Sequence, residues 1–159
     1  ADASGVARPG TAAPRPRSEG MTDTAPLHVI LGATGGIGAA LARQLVAEGA
    51  RVVLAARDEG KLAALAAALG PAAVHAAAID ATRFDAVERL VADAAQAHGP
   101  VAGIANCVGS LLLKPAHLTT QADFEQTIAL SLASAFGAVR AAGKTMAAQP
   151  DGGSVVLVA

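Results

Sequence analysis

From Leu27 onward, short runs of branched apolar residues alternate with stretches in which apolar residues recur every third or fourth position. Leu27-His28-Val29-Ile30-Leu31 has the length and composition of a buried strand. Ile37, Leu41 and Leu45 then share one side of a predicted helix, with Arg43, Gln44 and Glu48 on the other and Gly49 as its stop. Arg51–Ala56 predicts a second strand. Asp58 is placed to cap a helix with the stripe Leu62, Leu65 and Leu69, ended by Gly70-Pro71. Ala73–Ile79 predicts a third strand. Thr82 and Asp85 have the spacing of a capping box before a helix marked by Phe84, Val87 and Val91, which Gly99-Pro100 stops. Val101–Ala105 predicts a fourth strand. After a loop to Thr119 or Thr120, the four-residue spacing of Phe124, Ile128, Leu132 and Phe136 predicts one long helix towards Gln149-Pro150. Ser154–Ala159 predicts a fifth strand.

Strands alternating with helices predict βαβ units with right-handed crossovers, hence an α/β fold with a doubly wound parallel sheet. Five strands and four connecting helices make most of a Rossmann fold, incomplete on its C-terminal side. The length of 159 residues suits one domain. Residues 26–159 carry the pattern. Residues 1–25 read as a disordered tail of Pro, Arg, Ser and Ala without periodicity, and Met21 offers an alternative natural start.

Composition then narrows the function classes. A formal net charge of −1 gives no electrostatic footprint for nucleic acid. The lone Cys107 closes no internal disulfide, which fits a reducing, cytoplasmic setting. The uncharged stretches 26–42 and 62–79 are broken by glycines or Gly70-Pro71, so no membrane span is expected. His28, His75, His98 and His117 lack metal-ligand spacing with one another or with Cys107, so no metal is assigned. The chain contains no Tyr, which excludes any chemistry needing a phenol from this polypeptide.

The sharpest chemical signal is Leu31-Gly32-Ala33-Thr34-Gly35-Gly36-Ile37-Gly38, between the first strand and the first helix. A phosphate needs backbone N–H groups aimed at it, and any side chain beyond Gly holds the backbone away; the helix N-terminus adds partial positive charge. Glycines also serve ordinary tight turns, but strand-before and helix-after point to dinucleotide binding. No Lys-Ser or Lys-Thr follows, which disfavours the phosphate loop of nucleotide hydrolases. The end of the second strand decides between cofactors. Arg57 stands nineteen residues after Gly38, and Ala56 precedes it where a ribose-binding acid would be expected. A guanidinium can grip a 2′-phosphate, so NADP (NADPH) is favoured over NAD. The bland alternative pairs Arg57 with Asp58 or Glu59 as a solvated loop residue.

Together these residues give a sequence that resembles the short-chain dehydrogenase/reductase family, main branch, from about Leu27 to Ala159. Gly32, Gly36 and Gly38 match the family's Gly-x-x-x-Gly-x-Gly, while Gly32, Gly35 and Gly38 also fit the spacing of its extended branch. Asp80-Ala81-Thr82 resembles Asp-x-Thr, whose Asp contacts adenine. Asn106-Cys107-Val108-Gly109 is similar to Asn-Asn-Ala-Gly, with Cys107 and Val108 departing from it. The cofactor-binding set the resemblance implies is Gly32, Thr34, Gly35, Gly36, Ile37, Gly38, Arg57, Asp80, Ala81, Asn106 and Gly109. On the residues alone, Asp80 could equally be a strand-end carboxylate, Asn106 a turn amide and Cys107 a small buried hydrophobe.

The resemblance also implies a catalytic Ser after the fifth strand, a Tyr-x-x-x-Lys beyond it, and an Asn on the long helix. Ser131 occupies that Asn position, and the other three would lie past Ala159. The expectation is the cofactor half of a reductase acting on a small carbonyl or alcohol substrate, inactive by itself, with homo-oligomerisation through the 121–148 helix. The competing readings are a non-catalytic nucleotide-sensing module and an inactive fragment.

Overall fold

The computed structural model describes residues 25–158. The expected tail therefore lies outside the described residues, except Ala25, whose carbonyl accepts a hydrogen bond from Arg51 Nε at 3.1 Å. Five strands, β1 (Leu27–Leu31), β2 (Arg51–Ala56), β3 (Ala73–Ala78), β4 (Val101–Asn106) and β5 (Ser154–Leu157), form one parallel sheet in the order β3-β2-β1-β4-β5. The first two match the sequence expectation end to end. β4 runs one residue further, and β3 and β5 stop short.

The order follows from burial. β1, β2 and β4 are buried on both faces, as their unbroken apolar runs require, and occupy the middle of the sheet. β3 and β5 are the edges, and β5 exposes Val156 and Leu157. Helices α1 (Gly36–Ala47) and α2 (Glu59–Leu69) cover one face, packing Ala42, Leu62 and Leu65 on Ile30, Val52 and Leu54. Helices α3 (Phe84–His98) and α5 (Ser134–Thr145) cover the other. There Val87, Val91, Ala138 and Ala141 meet Leu27, Val29, Leu31 and Val53. Alternate β1 side chains thus serve opposite layers, as a period of two dictates.

Three local expectations are corrected. The side of α1 against the sheet is Gly38 and Ala42, while Ile37 is exposed and Leu41 and Leu45 are half-buried. Small residues let the helix axis sit close to the strands, so the large ones are pushed to the flank. At α3, Thr82 does not cap: its amide and hydroxyl both donate to Asp80, and Arg83 takes the cap position without a side-chain bond. The expected long helix is broken into α4 (Gln121–Ile128), a π-turn at Ala129–Ala133, α5 and a 3₁₀ turn at Met146–Ala148. Its N-terminus carries a full capping box between Thr120 and Asp123. The Phe124–Phe136 stripe faces outward, and α5 buries Gly137, Ala138, Ala141 and Ala142 instead. A Cβ on Gly137 would lie 3.1 Å from the Phe84 ring, so glycine there sets the α3–α5 approach.

Candidate cofactor site

The sheet order reverses direction at β1: the chain steps outward to β2 and β3, then returns to place β4 and β5 on the other side. The loops after β1 and β4 therefore diverge, which opens a crevice at the carboxyl ends of the strands. The glycine-rich turn stands in it. Gly32 and Ala33 donate their amides to the Ala55 carbonyl, at 2.8 and 3.0 Å, so the turn is anchored on β2. Gly32 has φ +75°, and a Cβ there would come within 2.9 Å of the Cys107 carbonyl carbon and oxygen. No other residue type fits both the backbone angle and that approach. A Cβ on Gly38 would lie 2.3 Å from the Gly32 carbonyl oxygen, so Gly38 seats the helix on its own turn. Gly36 differs: a Cβ there would meet nothing within 4 Å, so its side of the turn is open. The first amides of any helix have no partner within it, and an open approach beside them is what a phosphate group needs.

A cavity of about 660 Å³ spreads from this turn across the strand ends, within the range of small-molecule sites. Gly32, Thr34 and Gly35 form one wall, Ala56, Arg57, Asp58 and Lys61 the next, then Ile79, Asp80 and Ala81, and finally Cys107, Val108, Gly109 and Leu130. Arg57 is exposed and does not pair with Asp58 or Glu59. Asp58 is engaged by Lys61 instead: Oδ1 accepts the Lys61 amide at 2.9 Å, capping α2, and Oδ2 lies 3.4 Å from Nζ. The backbone N–H of Lys61, ahead of its ammonium, holds the Asp58 carboxyl below its ordinary value. Asp80 is fixed by the Thr82 amide at 2.9 Å and hydroxyl at 2.8 Å, both on Oδ1. Those two bonds, with help from the Arg57 and Arg83 charges, keep Asp80 ionised below the usual carboxylate range. Burial raises the Cys107 thiol, which therefore stays protonated near neutral pH.

The floor is tied down by a buried polar chain. Asn106 Nδ2 donates to Ser134 Oγ at 3.1 Å, and Ser134 Oγ donates to the Leu130 carbonyl at 2.5 Å. Asn106 Oδ1 accepts from the Val108 amide at 3.4 Å, and its backbone carbonyl accepts from Val158 at 3.0 Å. Both side chains are almost fully buried, and each has its partners. The Ser134 bond falls at the C-terminal boundary of the π-turn, where a hydroxyl on an i−4 carbonyl bends the helix. Ser131, on that turn, is exposed and stands outside the cavity wall, which takes Leu130 instead.

The structure thus gathers Gly32, Thr34, Gly35, Arg57, Asp80, Ala81 and Gly109 around one cavity. Gly36 and Gly38 shape its turn, Asn106 lies beneath it, and Ile37 is exposed beside it. Sequence reasoning missed Lys61 and Leu130. The spacing of Lys61, one helical turn after Arg57, was a usable signal; Leu130 carried none.

Comparison with known proteins agrees with this geometry. The family model described as short chain dehydrogenase matches residues 27–159. This chain belongs to the short-chain dehydrogenase family. It is 36% identical over 142 residues to an L-rhamnose 1-dehydrogenase (NAD(P)(+)) of Azotobacter vinelandii, covering 82% of this chain and 53% of the relative. It is 34% identical over 128 residues to a galactitol 2-dehydrogenase (L-tagatose-forming) of Cereibacter sphaeroides, covering 80% and 50%. A crystal structure of a short-chain dehydrogenase/reductase (glucose/ribitol dehydrogenase) from Brucella melitensis superposes with TM-score 0.71 at 32% identity, covering 76% of this chain and 49% of that one. The chain spans about half the length of the curated relatives it matches. Among the described residues, no helix is long and apolar enough to cross a membrane.

Proposed function

We propose that this chain is the cofactor-binding half of an NADP-dependent oxidoreductase that moves hydride between NADPH and a carbonyl or alcohol. The observation that carries the reading is the open first turn at Gly36, held by close contacts at Gly32 and Gly38 over a crevice with Arg57 on its rim. The first-turn amides hold the pyrophosphate, Arg57 the 2′-phosphate and Asp80 the adenine amine. Asn106 and Gly109 keep the nicotinamide end open. The nicotinamide, when bound, accepts or delivers the hydride. With no Tyr anywhere and Ser131 on the π-turn, this chain supplies no proton donor of the family's kind, so it binds cofactor without turning it over. A general acid–base group is worth roughly 10²–10⁴ in rate. Steady reduction of any carbonyl by the purified chain would end that part of the reading.

The substrate of a longer parent is a small polyhydroxylated carbonyl or alcohol, a class suggested by relatives named for rhamnose and galactitol. The outward line Phe124, Ile128, Leu132, Phe136 and Val139 supports pairing with a second copy through the 121–148 segment. Sedimentation as a monomer at all concentrations would remove that pairing. Cofactor choice is tested by titrating NADPH and NADH. Arg57→Asp should cost NADPH about 1.5–3 kcal/mol, roughly ten- to a hundredfold in Kd, and spare NADH. Superimposable curves for the two cofactors, unmoved by the substitution, would refute the NADP assignment.

A further inference from the structure

We infer that Lys61 is the second cation of the 2′-phosphate subsite, released to it from Asp58 when the phosphate arrives; this rests on the dinucleotide reading above. A phosphate monoester carries about −1.5 to −2 at neutral pH. The glycine-rich turn from Gly32 to Gly38 contains no charged residue, so it adds no side-chain cation. On the adenosine side of the cavity the charged lining is Arg57, Lys61, Asp58 and Asp80. Arg57 alone, against two carboxylates, leaves that wall net negative and hostile to a phosphate. Lys61 brings it to neutrality before the ligand enters. The backbone places it there: Asp58 caps α2 through the Lys61 amide, which fixes the Lys61 Cα one turn into the helix, beside the rim that Arg57 occupies.

Two further observations point the same way. Lys61 also lines a neighbouring groove between α1 and α2 with Thr34 and Arg43, so the residue borders two cavities, as Thr34 does. Its side chain is 73% exposed, and its pairing with Asp58, at 3.4 Å, is a loose solvated one. Such pairs are weak, and a doubly charged phosphate beside Arg57 outcompetes the carboxylate. Asp58 is then the internal competitor that sets how much Lys61 contributes.

The test uses the 159-residue chain and calorimetric titration of NADPH and NADH, because a protein without Trp or Tyr offers no useful intrinsic fluorescence. Lys61→Met should weaken NADPH about tenfold while NADH moves less than about twofold. Asp58→Asn keeps a good cap, since Asn and Asp cap comparably, and frees Lys61. It should therefore tighten NADPH severalfold and leave NADH in place. The NADPH advantage should shrink with added salt, and less so in Lys61→Met. If Lys61→Met keeps the wild-type NADPH-to-NADH ratio while Arg57→Asp collapses it, Arg57 acts alone and the inference is overturned. If the wild-type chain shows no NADPH preference at all, it is the Arg57 assignment that fails. Circular dichroism of each variant confirms that the exposed substitutions leave the fold intact.

Discussion

Replacing Gly38 by Ala sets two effects of known size against each other. Alanine in a helix is worth about 0.5–1 kcal/mol over glycine, which favours the variant. Yet its Cβ would lie 2.3 Å from the Gly32 carbonyl oxygen and 2.9 Å from the Ala33 Cα. Ordinary carbon–oxygen contacts begin near about 3.3 Å, so roughly 1 Å must be made up. Both obstructing atoms are backbone, and the turn they belong to is bonded to Ala55 and packed on Cys107, so nothing yields cheaply. Overpacking of this kind costs about 1–3 kcal/mol, and the rigid case belongs at the upper end. The net expectation is destabilisation of about 2–2.5 kcal/mol, or a melting point lower by about 4–10 °C for a chain of this size. Gly36→Ala is the matched control. Its Cβ meets nothing, so the variant should melt at or slightly above the wild type and yet lose dinucleotide binding, because the added methyl fills the open first turn. Thermal unfolding by circular dichroism, with and without NADPH, reads both quantities. A Gly38→Ala protein with wild-type melting and affinity would refute the reasoning, as would a Gly36→Ala protein that binds normally.

Three other outcomes are expected. Val156→Lys should lower light scattering at equal protein concentration, because Val156 is 56% exposed on the edge strand β5, with Val155 and Leu157 on either side; unchanged scattering would exonerate that edge. Ser134→Ala should cost about 1–3 kcal/mol in urea unfolding, since it strips the buried Asn106 amide of its acceptor, and a neutral result would mean another partner replaces it. Partial burial of His28, whose ring lies over Gly103, lowers its pKa from 6.5, so the unfolded chain takes up the proton first. Stability should therefore be full above about pH 6.5 and fall as pH drops through 6.5 towards the folded value; His28→Gln should flatten that slope relative to the wild type, and parallel curves would discount His28.

β1 and β2 were legible because each is built on a run of branched apolar residues just after a proline or glycine, and both fall where those runs predict; β3, with Val74 as its one branched residue, was the weaker reading. The glycine-rich turn was legible for the same reason: it sits where a strand period gives way to a helical one. Helix faces were legible in part: Leu62 and Leu65 of α2 and Val87 and Val91 of α3 are buried as their spacing predicts, whereas the faces of α1 and of the 121–148 segment were not legible. A protein that packs its helices through Gly38, Ala42, Gly137, Ala138 and Ala141 writes little hydrophobic contrast on the buried side, so Ile37 and Phe124 draw the eye to the wrong one. Asp80 was legible as a strand-end acid. Its grip on Thr82 was hidden, because a two-residue Asp-x-Thr bond competes locally with the three-residue capping pattern that Thr82 and Asp85 spell. The π-turn leaves no mark in periodicity; Ser134 at its end bonds Leu130 locally and Asn106 across the fold, and the second bond has no local signature.

The contact between Gly32 and the Cys107 backbone joins positions seventy-five residues apart. The glycine-rich turn is therefore not a self-contained hairpin: its close packing includes the residue that follows β4, the strand paired with β1. Each wall of the crevice comes from a different βα loop, so a bound dinucleotide would bridge segments that otherwise touch mainly through the sheet. For this chain the ligand would be a clasp: at a concentration a hundredfold above Kd it adds about 2.7 kcal/mol to folding. Against the roughly 5–15 kcal/mol that ordinary domains retain, that is a sizeable increment, so a bound dinucleotide would act on the fold as well as on chemistry.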